Sequence, residues 1–278
     1  MEREQTIGVA GVGKMGTALV RGLVVAHVVH RSNILVSDLV PGRARELAQR
    51  FGVGSVANSA ELAARSDVLV LAAKPKDMAA LVRSIAQAIR PEALVISLAA
   101  GVRTAFIETV LRGRGRVVRI MPNLACAVGQ GATAFALGAT ATPSDGLVVE
   151  EIFGAMGRAT KVDEERLDAV TALSGSGPGL VAALVAAMID GGVRCGLPRE
   201  VALQLALQTV KGTAELLQVD GLEPMDLYAM VATPRGTTEA GWALMQARAV
   251  PQAISDGIVA AARRAGELAE EATRATSG

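Results

Sequence analysis

From residue 6 to about residue 163, short apolar runs rich in Val, Ile and Leu alternate with Ala-rich stretches of helical spacing. The runs predict strands at Thr6–Ala10, Ile34–Ser37, Asp67–Ala73, Ala93–Leu98 and Arg116–Met121, each followed by turn residues and an amphipathic repeat. A weaker strand is expected at Ala132–Leu137 and a helix near Gly146–Met156. Strands separated by helices pair in parallel, so the rhythm predicts a parallel sheet covered by helices on both faces. After Asp163 the strand pattern stops. Residues 166–278 read as helices interrupted at "SGSGPG", "CGLP", "VDGLEP" and "ATPRG". The expected organisation is an α/β domain over residues 1–164 and an all-helical domain over residues 165–278.

One stretch complicates the helical half. From Ala169 to Ile189 the chain carries about 21 uncharged residues, long enough on that count to span a bilayer. Its first part, however, contains Ser174, Gly175, Ser176, Gly177 and Pro178, which break or begin a helix. Only Gly179–Ile189 is a sustained apolar helix, about half a bilayer span. A buried helix is the expectation, apolar on all sides and central to a bundle shared between subunits. The small residues Gly179, Ala182, Ala183, Ala186 and Ala187 would let another helix approach closely.

Composition narrows the function classes. Half the chain is hydrophobic (51%) but only 2% is aromatic, so the core must be built from Ala, Val and Leu. Net charge is +1 with charges spread along the chain, which leaves no basic stripe and too few rings for a nucleic-acid partner. Cys126 and Cys195 stand in no CxxC pattern and read as small buried residues in a reducing compartment, with no metal site. "MEREQTIGVAG" lacks a signal-peptide layout, so a cytoplasmic protein is expected.

The first strand leads into candidate chemistry. "IGVAGVGKMGTALVRGL" sets Gly11, Gly13 and Gly16 in G-x-G-x-x-G spacing between a strand and a helix, the fingerprint of a Rossmann-type dinucleotide site. The first glycine permits the turn, the second lets a pyrophosphate approach, and the third allows close helix–strand packing. Asp38, after Ser37 at the end of the second strand, is placed for a ribose 2′-hydroxyl and favours NAD. Arg43 and Arg45 follow closely enough to hold a 2′-phosphate, so NADH and NADPH both stay open.

Outside this motif, titratable chemistry is sparse. His27 and His30 read as surface residues at a helix end, leaving no histidine in the helical half to act as a general base. Polar candidates there are Ser174, Ser176, Lys211, Thr237 and Thr238. In "TPRGTTEAGW" a loop enters a helix with paired threonines near its start, which suits either an N-cap or a carboxylate-binding helix terminus with a hydroxyl beside it.

The motifs "GVGKMGTAL", "VLAAKPKDM", "SLAAGV", "RIMPN", "AVGQGAT", "DAVTALSGSGP", "DGGVRCGLPRE" and "TPRGTTEAG" occur in an order and spacing that resemble the pyrroline-5-carboxylate reductases over nearly the whole chain. The resemblance implies NAD(P)H-dependent reduction of a cyclic imino acid to L-proline. It also implies a Rossmann domain followed by a helical domain that forms homodimers and larger homo-oligomers. By position, Gly11, Val12, Gly13, Lys14, Met15 and Gly16 would line the pyrophosphate turn. Ala73, Lys74 and Pro75 would follow the cofactor along the sheet edge, with Asn123 near the nicotinamide. Ser174, Gly175 and Ser176 with Gly236, Thr237 and Thr238 would form the substrate pocket across the dimer, Thr238 facing the ring nitrogen. Leu124 and Ala125 after Asn123, Gly179 and Leu180 after Pro178, and Arg235 before Gly236 depart from the family pattern. A reductase of another cyclic imine, a β-hydroxyacid-dehydrogenase-like enzyme using Lys211, and a non-catalytic dinucleotide-binding regulator remain as other readings.

Overall fold

The structure, a computed structural model, describes residues 4–277, with side chains to residue 271. Its first half runs β1 (Ile7–Ala10), α1 (Lys14–Val25), β2 (Ile34–Ser37), α2 (Arg43–Phe51), β3 (Gly54–Ser55), α3 (Ser59–Arg65), β4 (Val68–Leu71) and α4 (Pro75–Ile85). It continues through β5 (Leu94–Ser97), α5 (Thr104–Leu111), β6 (Arg116–Met121), β7 (Gly131–Leu137), α6 (Pro143–Gly154) and β8 (Gly157–Lys161). Helices α7 (Leu167–Val170), α8 (Gly177–Arg194), α9 (Arg199–Asp220), α10 (Pro224–Val231), α11 (Thr237–Ala247) and α12 (Val250–Ser277) follow.

The eight strands form one sheet in the order β3-β2-β1-β4-β5-β6-β7-β8. Strands β1, β2, β4 and β5 are buried along their whole length, as continuous Val/Ile/Leu runs covered on both faces must be. Two hydrophobic clusters result, one on each face. The first gathers Val9, Leu19, Leu23 and Phe153, and the second Leu69, Met78, Ile85 and Ile107. Local signals set the helix ends: Asn58 caps α3 through the Glu61 amide, Thr142 and Asp145 form a reciprocal capping box on α6, and α2 closes on left-handed Gly52.

The expectation of an all-parallel sheet needs one correction. β6 and β7 pair antiparallel, because residues 122–130 hold only a 3-10 turn (Leu124–Val128) and cannot make the long crossover a parallel pair needs. Two strands also escaped the sequence reading. β3 is two residues long, and β8 ("GRATK") is a polar edge strand with no apolar alternation.

Within β6 a charge is buried. Arg119 is 2% exposed, with Glu164 Oε1 at 3.5 Å and Asp168 Oδ1 at 3.4 Å. Its Nε has no hydrogen-bond partner among the described residues. Glu164 in turn accepts from the Thr104 amide at 2.9 Å and the Thr104 hydroxyl at 3.0 Å. This cluster fastens β6 and α5 to the segment that begins the helical run.

The chain divides into two compact units, residues 1–176 with 259–278, and residues 177–258. In the second unit α8 packs on α9 through Val185, Ile189, Ala202 and Ala206. Trp242 of α11, the chain's one tryptophan, lies 5.5 Å from Tyr228 of α10, its one tyrosine, between ring centroids.

Within the single chain, one expectation about this half is overturned and another is met only on the side that α9 covers. Gly179–Ile189 is not buried on all sides: Leu180, Val181, Leu184 and Met188 are exposed, because the contact with α9 covers only one stripe. Cys195, expected to be buried, is exposed just beyond α8. The helical run Glu164–Arg194 is long and apolar enough to cross a membrane by length and composition. Its best window has a mean hydropathy of 1.7 and is 11% buried. That run is not one regular helix, since Thr171–Gly175 form a π-turn at the Ser/Gly segment.

Candidate active site

The glycine turn is built from steric necessity. Gly11 has φ +99°, and a Cβ there would lie 3.0 Å from the Ala72 carbonyl. A Cβ on Gly16 would lie 2.0 Å from the Gly11 carbonyl oxygen, so only glycine lets α1 start this close to β1. Gly13 differs, since a Cβ there would meet nothing within 4 Å. The fold does not require that glycine; its missing side chain keeps open the space above the turn. Gly13 is also the N-cap of α1 and has no side chain to occupy the first free amides. The helix therefore presents unpaired N–H groups and its positive dipole end, a suitable seat for a phosphate.

That space is a cavity of about 290 Å³. Of the sequence candidates, Gly11, Gly13, Asp38, Ala73 and Lys74 line it, joined by Arg43. Lys14, Met15 and Gly16 form the first turn of α1, Pro75 opens α4, and Ser37 lies buried at the end of β2 with its hydroxyl 3.4 Å from that of Ser59. Sequence reasoning missed Leu39, Val40 and Lys76, which also line the cavity. No sequence pattern marks them; only in the structure does Leu39, two residues past β2, stand 83% exposed beside the glycine turn.

Asp38 makes two main-chain bonds that its spacing did not reveal. One carboxylate oxygen accepts from the Val12 amide at 2.8 Å and the other from the Val40 amide at 2.8 Å. The Arg43 guanidinium stands 3.7 Å away. The carboxylate thus braces the glycine turn against the loop after β2, and the cationic Arg43 faces the cavity.

Asn123 does not line this cavity. It is 8% exposed, and its side chain is committed at both ends. Oδ1 accepts from the Ala125 amide at 3.2 Å and the Ala132 amide at 3.3 Å, and Nδ2 donates to the Ser174 carbonyl at 3.1 Å. Ser174 is half-buried, with its hydroxyl on the Val170 carbonyl, and Ser176 is exposed. Cys126, in the 3-10 turn next to Asn123, is buried, which pushes its thiol up to about 11 and removes it as a nucleophile.

In the helical unit, Gly236 is the N-cap of α11, and Thr237 and Thr238 are its first two residues. The threonines are therefore not caps. Thr238 lines a largely apolar groove of about 550 Å³ with Leu216, Leu227 and Tyr228. Arg235 takes φ +62°, a left-handed conformation uncommon outside glycine, and its amide donates to the Glu239 carboxylate. His27 and His30 are exposed in the first unit. Lys211 lies on α9 and is exposed.

Comparison with known proteins converges on one family. Residues 164–268 match the profile described as pyrroline-5-carboxylate reductase dimerisation, and residues 6–101 the profile described as NADP oxidoreductase coenzyme F420-dependent. The chain is 39% identical to the pyrroline-5-carboxylate reductase of Methanosarcina acetivorans, over 96% of this chain and 99% of that one. It is 36% identical to the Arabidopsis thaliana enzyme of the same name, over 95% of each. Among solved structures, the Plasmodium falciparum pyrroline carboxylate reductase with NADP bound superposes with a TM-score of 0.87 at 26% identity, covering 97% of this chain and 100% of that one. With similarity of this extent running through both the glycine turn and the Ser/Gly and threonine segments, the chain belongs to the pyrroline-5-carboxylate reductase family.

Proposed function

We propose that the protein reduces 1-pyrroline-5-carboxylate to L-proline with NADPH or NADH. Residues 1–164 serve the cofactor, and residues 165–278 the imino acid and self-association. The observation that carries this reading is the near-full-length similarity to reductases of that name, together with a cavity that the α1 N-terminus and Gly13 leave open for a dinucleotide. Bound there, the nicotinamide cofactor supplies the hydride. The first-turn amides of α1 at Lys14 and Met15 hold the pyrophosphate, with Gly11, Val12, Gly13 and Gly16 shaping the turn, and Ser37, Asp38, Ala73, Lys74 and Pro75 flanking the nucleoside. Ser174, Gly175, Ser176, Gly236 and Thr237 take the imino acid, backbone N–H groups fixing its carboxylate, and the Thr238 hydroxyl bonds the ring nitrogen. A protonated imine carbon is already electrophilic, so positioning and electrostatic complementarity carry the reaction without a histidine base. The decisive assay follows NADH and NADPH oxidation with cyclic imino acids and with 2-keto acids. Turnover with 1-pyrroline-5-carboxylate is expected, and activity confined to keto acids refutes the reading.

Asp38→Ala should weaken NADH and NADPH alike, because it releases the Val12 and Val40 amides that shape the turn. Two lost backbone bonds predict a stability loss of about 2 kcal/mol. Cofactor titration by fluorescence checks this, and a loss confined to NADH assigns Asp38 to the ribose diol instead.

The working form is a cytoplasmic homodimer or larger homo-oligomer, without nucleic-acid or membrane partners. The exposed apolar stripe of α8, together with Leu203 and Leu207 of α9, needs a cover, and a second copy of residues 164–268 provides it. Sedimentation at assay concentration should show no active monomer; a fully active monomer contradicts this assembly.

A further inference from the structure

Two motifs that the proposed mechanism uses separately, "RIMPN" and "SGSGP", meet at one hydrogen bond. Asn123 and Ser174 are 51 residues apart, and the Asn123 amide donates to the Ser174 main-chain carbonyl at 3.1 Å. That carbonyl needs an external donor. In a regular α-helix it would accept from the amide of the residue four positions on, but that residue is Pro178, which has no N–H. The run from Thr171 to Gly175 is a π-turn, in which the Ser176 amide reaches back to the Thr171 carbonyl at 2.8 Å, and α8 opens only at Gly177.

Asn123 is well fixed for this task. Its Oδ1 is held by the amides of Ala125, at the start of the 3-10 turn, and Ala132, in β7, so the side chain cannot rotate without losing two further bonds. With the residue nine-tenths buried, water is poorly placed to substitute.

We propose that Asn123 is a positioning residue, which fixes the Ser174–Ser176 turn for substrate by supplying the donor that Pro178 withholds. Its effect on the reaction is exerted through that turn and not through a contact with the nicotinamide. The inference rests on the proposed assignment of Ser174–Ser176 to the imino acid.

Asn123→Asp is the discriminating variant, since its carboxylate keeps the two acceptor bonds and replaces the donor to the Ser174 carbonyl with an acceptor that repels it. It should raise the KM for 1-pyrroline-5-carboxylate about five- to tenfold, while kcat and the NADPH Kd stay within about twofold. Adding Pro178→Ala restores a main-chain N–H at the helical position, so the double variant should recover most of the lost KM. An increase in NADPH Kd with unchanged imine KM, no change in either, or a KM defect that Pro178→Ala does not relieve overturns the proposal. Should Asn123→Asp not fold, a crystal structure of the wild-type NADPH complex decides: Nδ2 remains on the Ser174 carbonyl, or it has turned to the nicotinamide and the proposal fails. Absence of imine turnover by the wild type refutes the proposed function instead, and the Asn123–Ser174 bond in that crystal still reports on the positioning role.

Discussion

Thr238→Ala is expected to lower kcat/KM for the imino acid by roughly 10- to 150-fold, the cost of losing one partly charge-assisted hydrogen bond of about 1.5–3 kcal/mol at the ring nitrogen. The structure makes the test clean. Gly236 occupies the N-cap of α11, so the Thr238 hydroxyl is not needed to end the helix, and its removal should leave folding intact. Cofactor affinity and sedimentation should also be unchanged, because Thr238 is not among the residues lining the cavity at the glycine turn. Thr237→Ala, whose proposed contribution comes through its backbone, should cost far less. An unchanged rate in Thr238→Ala removes this loop from the site; a lost fold assigns it a structural role only.

The second large effect concerns stability. Glu164→Ala takes away the carboxylate that both Arg119 and the Thr104 amide and hydroxyl rely on. Asp168 remains, at 3.4 Å and on one nitrogen, and the Arg119 Nε already lacks a hydrogen-bond partner among the described residues. With Asp168 still beside it the guanidinium is only partly stranded, so the cost should fall at the low end of the range for a broken buried pair, about 3 kcal/mol, a drop in Tm of roughly 6–12 °C for a protein of this size. Glu164→Gln should lie between wild type and Ala, since its amide oxygen keeps one acceptor. Calorimetry giving Glu164→Ala a wild-type Tm would show that the cluster adds nothing to stability.

The α/β part of the fold was legible because its strands are buried on both faces and so read as uninterrupted apolar runs. Gly11, Gly13 and Gly16 could be found because the spacing reflects contacts that exclude a Cβ at Gly11 and Gly16. What escaped the sequence were features set by tertiary context. The antiparallel turn of β7 follows from the length of the segment after Met121, not from any residue pattern within the strand. β8 hides because an edge strand needs no apolar face. Asp38 was visible as a residue at the right spacing, but its bonds to Val12 and Val40 depend on two loops meeting. How much of α8 its own chain covers could not be read, because the same apolar composition suits a helix covered by its own chain and one covered by a second copy. Asn123 was recognised only through a motif, and its partner became identifiable once Ser174 and Pro178 were considered as a helical pair.

The placement of the aromatic residues has an optical consequence. The single tryptophan and single tyrosine sit together on α10 and α11, 5.5 Å apart, and the first unit contains neither. Intrinsic emission excited at the tryptophan band therefore reports on the surroundings of Trp242 on α11, while circular dichroism averages over the whole backbone. Denaturation followed by the two signals gives a built-in test of cooperativity. Coincident curves mean that both units melt together, and an emission change that precedes the loss of ellipticity means that the helical unit loosens first.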